Sequence, residues 1–220
     1  MKRRRGGLPI LIGVLMISAA LILCAYNFSD DKRASRAASD ALSRLLSVIP
    51  EPQAQTAQRY DSAEIPLDRT ENPTDEAIPD YILNPEMELV TERVNELSYI
   101  GVIEFPTLGL TLPVVGELTD RALASAPCRY TGSPYTDDLV IAGHNYRSHF
   151  GRLDRLKAGD RVFFTDMDGN RFEYRVELTE SISGSDVGGM LDGGWDLSLF
   201  TCTMSGSYRT TVRLDRIDHT

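Results

Sequence analysis

The sequence predicts a mainly β domain, closed into a barrel and carried behind an N-terminal apolar helix. Three observations predict it. Short strand-like runs recur at regular spacing from Tyr99 to Arg216 with only brief helical interludes, as in closed antiparallel architectures. A charge-free run from Leu8 to about Tyr26 approaches the ~20 residues a helix needs to cross the hydrocarbon core. Between the two, residues 50 to 85 are Pro-rich and polar, a composition unable to build a core of its own.

At the N-terminus, Lys2, Arg3, Arg4 and Arg5 precede the apolar run and the acidic pair Asp30 and Asp31 follows it. That asymmetry predicts a cytoplasmic N-terminus with the remainder outside. A cleaved signal peptide competes with this reading. Against it, the run is long, no Ala-X-Ala site follows, and the residue before Cys24 is not the small one a lipoprotein-type site requires. Residues 1–28 are therefore expected to be an uncleaved signal-anchor. Residues 30–49 read as a helix, with Ala34, Ala37, Ala38, Ala41, Leu42, Leu45, Leu46 and Ile49 forming a narrow apolar stripe. It could extend the membrane helix as a stalk, self-associate, or lie on the domain. Stalk and linker together are expected to span 29–98, and the catalytic domain 99–220.

In the domain, Tyr-Ile-Gly-Val-Ile-Glu-Phe-Pro (99–106) and Leu-Thr-Leu-Pro-Val-Val (110–115) read as two strands around a turn. Further strands are predicted at Leu139–Ala142, Arg161–Thr165, Arg171–Leu178, Asp196–Cys202 and Arg209–Arg216. A short helix is predicted within Tyr146–Leu156, where Phe150, Leu153 and Leu156 would face the barrel. Asp168-Gly169-Asn170 is a hairpin signal. The stretch from Asp166 also resembles the start of a calcium loop, but position 12 of that loop would be Glu177, inside a strand, so the turn reading is preferred.

Removing the four charges of residues 1–28 leaves 19 basic against 32 acidic residues, a net of −13. Nucleic-acid binding, which needs a basic face to displace counterions, is thereby disfavoured. The two cysteines outside the membrane run, Cys128 and Cys202, could form one disulfide in an exported domain, or one could be a working thiol.

Cys202 ends an alternating strand and opens a polar loop, where a thiol can be held still yet remain reachable. Cys128 reads as core filler. A free thiol is only a few per cent thiolate at neutral pH and needs a basic neighbour. Of the three histidines, His219 is at the C-terminus and His149 lies in the predicted short helix. His144 ends an apolar strand as Cys202 does, so the two could share one rim. Arg209 opens the strand after Cys202 and would lie beside it if the two strands pair as a hairpin. Arg213 and Arg216 are read as solvated, although Arg213 shares a face with Arg209.

These residues carry a resemblance. Leu-Val-Ile-Ala-Gly-His (139–144), then Leu-Phe-Thr-Cys-Thr (199–203) with an Arg seven positions after the Cys, resembles the sortase family of Gram-positive cysteine transpeptidases. Tyr-Ile-Gly-Val-Ile-Glu-Phe-Pro with Leu-Pro-Val, and Ala-Pro-Cys-Arg-Tyr-Thr-Gly-Ser (126–133), resemble that family's strands in the same order. The resemblance covers 99–217. It implies an eight-stranded β-barrel displaying His144, Cys202 and Arg209 along one groove, with no cofactor. It implies that the Cys attacks the Thr-Gly bond of an LPXTG-like sorting signal on a secreted protein and forms a thioacyl enzyme. A peptidoglycan-precursor amine or a pilin lysine would then resolve it. Cys202 would be the nucleophile, His144 the general acid and base, and Arg209 the oxyanion donor. Thr201 and Asn145 are further candidates for contact with substrate. Asn145 occupies a position that varies in the family. The segment from Ser181 to Gly194 is short and Gly-rich, lacking the long helix of class B members, and no acidic cluster like the calcium site of some class A members is seen.

Two other classes compete. A papain-type wall peptidase would place Cys before His, usually at a helix start, the reverse of the order here. A catalytically silent binding module would give no reason for Cys, His and Arg to share a rim.

Overall fold

A computed structural model describes residues 7–50, 79–191 and 194–218. Lys2 to Arg5, most of the Pro-rich linker and His219 lie outside the described residues. The first element is one continuous helix, α1 (Gly7–Val48), about 63 Å long at 1.5 Å per residue. Its N-terminal half is long and apolar enough to cross a membrane, and Ile10, Leu15, Leu21 and Tyr26 are exposed. The C-terminal half combines two of the three arrangements open to the stripe. It extends the apolar helix without a break, and it lies on the domain. Ala34, Ala38, Ala41 and Leu45, spaced at three and four residues, are all buried. Ala41 and Leu45 pack with Val94, Tyr99, Val102 and Val115, and Ala38 reaches the main core. Small side chains there let the helix axis approach the sheet closely.

The domain is built from nine strands: β1 (Glu92–Val94), β2 (Leu97–Phe105), β3 (Leu110–Val115), β4 (Cys128–Thr131), β5 (Leu139–Gly143), β6 (Arg161–Asp166), β7 (Arg171–Ser183), β8 (Leu197–Cys202) and β9 (Tyr208–Arg216). Their order is β1-β2-β3-β4-β5-β8-β9-β7-β6, and β6 pairs back onto β2. The eight strands β2–β9 therefore close a barrel, as expected, and β1 adds a short hairpin outside it. At the closing seam Gly101 is required by close approach. A Cβ there would stand 2.2 Å from the Thr165 carbonyl oxygen.

Elements missed by the sequence reading are short or polar. β1 and β4 have three and four residues, too few to display an alternation. β7 runs to Ser183, beyond the predicted Leu178, because its polar end is paired with β9 from Arg213 to Tyr208. Three short helices interrupt the strands: α2 (Asp80–Leu83), α3 (Asp120–Leu123) and α4 (Val187–Leu191). Packed structure begins well before Tyr99, since Tyr81 and Leu89 are buried in the main core and Tyr81 stacks on Tyr135 at 4.9 Å.

The helix expected within Tyr146–Leu156 is replaced by turns and a single 3-10 turn, Leu153–Arg155. Its apolar residues nevertheless enter the core. The chain curls back on itself, with Phe150 N–H donating to the His144 carbonyl and Gly151 N–H to the Tyr146 carbonyl. A side chain at Gly151 would meet Asn145 O at 2.4 Å, so the curl needs glycine. The turn after β6 is fixed by Asp166, whose buried carboxylate accepts from the Asp168 and Asn170 backbone, the Asn170 amide and the Tyr135 hydroxyl.

His149 is fully buried beside Asp31 and Ala34 of α1. Burial lowers its pKa from 6.5 to about 4. Between those values the unfolded chain binds more protons than the folded one, so stability falls as pH drops from about 6.5 towards 4 and is intact above 6.5. Full-length protein in detergent should lose about 3 kcal/mol across that window from this group alone. Melting curves at stepped pH should fall less steeply for His149→Phe, which keeps the ring volume without the titration.

Candidate active site

β5 and β8 bury both faces, and this fixes where their ends point. Leu139, Ile141, Leu197 and Leu199 enter the main core. Val140, Ala142 and Phe200, on the other face, form a second apolar layer with Ile182 of β7 and Met190 of α4. Side chains alternate along a strand. His144 stands two positions after Ala142 and Cys202 two after Phe200, so both belong to the outer layer.

Register sets their relative height. β5 and β8 are parallel, pairing Ala142 with Phe200 and Gly143 with Thr201. The next residues on the two chains are His144 and Cys202, on strands about 4.8 Å apart. β8 and β9 are antiparallel, with Cys202 opposite Arg209, and β9 in turn sets Arg209 opposite Ile182. The rim thus reads His144, Cys202, Arg209 across three adjacent strand ends. All three side chains are partly exposed.

Two glycines make room for this row. A Cβ on Gly143 would strike the Phe150 ring at 2.5 Å, so the Gly of Gly-His lets Phe150 pack beneath the strand end that carries His144. A Cβ on Gly184 would stand 2.9 Å from Arg209 Nη1. Arg209 Nη1 also donates to the Gly206 and Tyr208 carbonyls, at 2.9 and 3.2 Å.

Burial lowers the His144 pKa below its ordinary value, partly opposed by the Asp120 carboxylate of α3. Its ring is therefore neutral at pH 7. Cys202 and Cys128 are both free. Cys128 is fully buried with its Sγ 3.4 Å from the Ala126 carbonyl oxygen, and burial raises its thiol to about 12. It is core filler and stays protonated.

The other candidates separate. Thr201 has the parity of Leu199, is 4% exposed, and its hydroxyl has no hydrogen-bond partner among the described residues. It faces away from the rim. Asn145 lies beside the β8–β9 loop, with Nδ2 3.8 Å from Met204 Sδ. Arg213 and Arg216, read as solvated, are buried. Arg213 donates to Glu180 (2.8 Å), Ser198 Oγ (2.9 Å), Met190 O (2.9 Å) and Gly189 O. It fastens the end of α4 to the outer layer. Arg216 bonds Asp137, Asp218 and Pro134 O and lies over the Phe172 ring. A long cationic side chain on a strand looks the same in sequence whether a loop covers it or water does. The site is a rim; of two concavities, one of about 150 Å³ lies between α1 and the β2–β6 seam and one of about 420 Å³ lies beside β4, and neither is lined by His144, Cys202 or Arg209.

A family model described as Sortase domain matches residues 103–217, just over half of the chain and nearly all of the barrel. The chain belongs to the sortase family. It is 26% identical over 121 residues to Sortase A of Bacillus anthracis, covering 52% of this sortase and 57% of that protein, so little more than half the relative is spanned. Among solved structures, Streptococcus pneumoniae Sortase C aligns with a TM-score of 0.51 at 26% identity, over 58% of this chain and 72% of that one. Streptococcus agalactiae sortase C1 aligns with a TM-score of 0.52 at 21% identity, over 67% and 80%, a likeness of fold.

The two arginines of β9 should part experimentally. Arg213→Ala leaves the buried Ser198 hydroxyl and Met190 carbonyl without their donor and should destabilise this sortase by about 2–4 kcal/mol in chemical denaturation. Arg209→Ala, at the rim, should leave the denaturation midpoint nearly unchanged. Gly143→Ala should shift the His144 ring resonances in NMR although it leaves that ring unaltered, because Phe150 must move and His144 with it.

Proposed function

We propose that this chain is a membrane-anchored cysteine transpeptidase that cuts an LPXTG-like sorting signal and joins the carboxyl end to an amine. The observation that carries the reading is the shared rim of His144, Cys202 and Arg209. Cys202 Sγ attacks the carbonyl carbon of the Thr–Gly bond while its proton passes to the neutral His144 imidazole. Arg209 N–H groups stabilise the oxyanion. His144 then protonates the departing glycine nitrogen, and the amide bond breaks to leave a thioacyl enzyme. An incoming amine attacks that thioester, loses a proton to His144, and the Cys202 thiol is regenerated. No oxidant, metal or cofactor enters the balance.

The acceptor is a peptidoglycan-precursor amine or a pilin lysine. Pilin substrate specificity is named for Streptococcus pneumoniae Sortase C, which supports the second choice by likeness. Asn145, at the rim, is retained as a substrate-groove candidate, whereas the buried Thr201 would act only by holding the strand that carries Cys202. The apolar half of α1 supports a single membrane span with the barrel outside, on the strength of Lys2 to Arg5 before it and Asp30 and Asp31 after it.

Full-length protein incubated with an LPXTG peptide should gain the mass of the acyl fragment on Cys202 and release it to added triglycine. Cys202→Ala should form no adduct while keeping its melting temperature. His144→Ala and Arg209→Ala should lose about a hundredfold or more in kcat/KM. Turnover by Cys202→Ala equal to wild type would overturn the assignment.

A further inference from the structure

Helix α1 does more than cover the barrel: it grips the loop that follows His144. Ser148 donates twice to Asp31 Oδ1, from its backbone N–H at 3.1 Å and from its hydroxyl at 2.6 Å. The next residue, His149, is the fully buried one beside Asp31 and Ala34. Between Ser148 and the site stands Tyr146, its ring 4.8 Å from His144 and 5.5 Å from His149. Burial, followed by the charges of Asp30, Tyr26 and Asp31, raises the Tyr146 hydroxyl pKa. The ring itself packs on both histidines, in the same short loop that Ser148 ties to α1.

Within the loop the Tyr146 carbonyl accepts from the His149 and Gly151 N–H groups, each at 2.9 Å. The loop's inner side is fixed by Phe150 against Gly143 and by the Phe150 N–H bond to the His144 carbonyl. The outer side leans on α1. A turn held from one side only samples several conformations, and a displacement of about 1 Å at a reacting group can cost two orders of magnitude in rate.

We propose that Asp31 is a positioning residue for the reaction, acting through Ser148 and Tyr146 to hold His144 in place. The inference rests on the transpeptidase reading above for its kinetic consequence, but not for its structural one. The groups facing His144 are Asp120 from α3, Tyr146 and His149 from its own loop, and Cys202 and Arg209 along the rim. Asp30 and Asp31 reach it by way of Tyr146.

The test uses the full chain in detergent micelles. Asp31→Ala should lower kcat about tenfold while KM for the peptide changes less than about twofold, because the substrate contacts remain and the acid–base geometry does not. Asp31→Asn keeps an acceptor oxygen and should recover activity to within about twofold of wild type. Ser148→Ala removes the hydroxyl bond and keeps the backbone one, so it should show a smaller loss of the same kind, and the double variant should be no worse than Asp31→Ala. Loosening Tyr146 admits water to His144, so in both alanine variants its imidazole should titrate closer to the ordinary 6.5, followed by NMR of histidine-labelled protein. That titration needs no substrate, so it decides the positioning claim even if no peptide is turned over, an outcome that would sink only the transpeptidase reading. Wild-type kcat in Asp31→Ala and Ser148→Ala with an unmoved His144 titration would overturn the proposal. So would losses that multiply in the double variant.

Discussion

The parallel pairing of β5 with β8 is the constraint on which the site depends. These strands are separated by the whole of β6 and β7, so no hairpin turn sets their register. Burial sets it instead. Both strands are buried on both faces, one against the barrel core and one against the layer under α4, and a slip by one residue would exchange the faces. With the register fixed, Gly143 meets Thr201 and the next residues of the two chains are His144 and Cys202. The β8–β9 hairpin adds Arg209 from the other side, and there the antiparallel ladder alone suffices.

Polar residues on the same face as the rim divide by what covers them. Arg209 sits where β9 begins, next to a glycine that leaves space for its guanidinium, and stays partly exposed. Arg213, four residues on and on the same face, lies under α4 with its donors occupied by a carboxylate, a hydroxyl and two carbonyls. Among the described residues one donates only to carbonyls of its own loop and stays within reach of solvent, and the other holds the wall beside it. The distinction arises from a five-residue helix, not from any property of the arginines.

The N-terminal helix links these features to its own apolar N-terminal half. A continuous helix runs from exposed apolar residues through the Asp31–Ser148 contact to a buried alanine stripe on the barrel. Asp31 lies five residues beyond Tyr26, about 8 Å along the axis. The loop that follows His144 is therefore hydrogen-bonded to the part of the helix just beyond the apolar run.

Much of this was legible in the sequence. The strands with clean alternation or dense apolar runs are legible to within a residue or two, except that β7 continues through a polar end to Ser183. Gly-His and Thr-Cys at strand ends, with Arg209 seven positions later, announced the site, because strand-end chemistry leaves a local signature of apolar run, glycine and polar loop. The alanine stripe at 34–45 announced a buried face but not its partner. What only the tertiary structure decided are relations between distant residues: that Asp31 meets Ser148, that α4 covers Arg213, that Thr201 faces inward from the rim, and that Phe150 is the reason for Gly143. Local sequence encodes period, propensity and turn chemistry. Which surfaces are covered, and by what, depends on contacts across more than a hundred positions, for which one sequence carries no local mark.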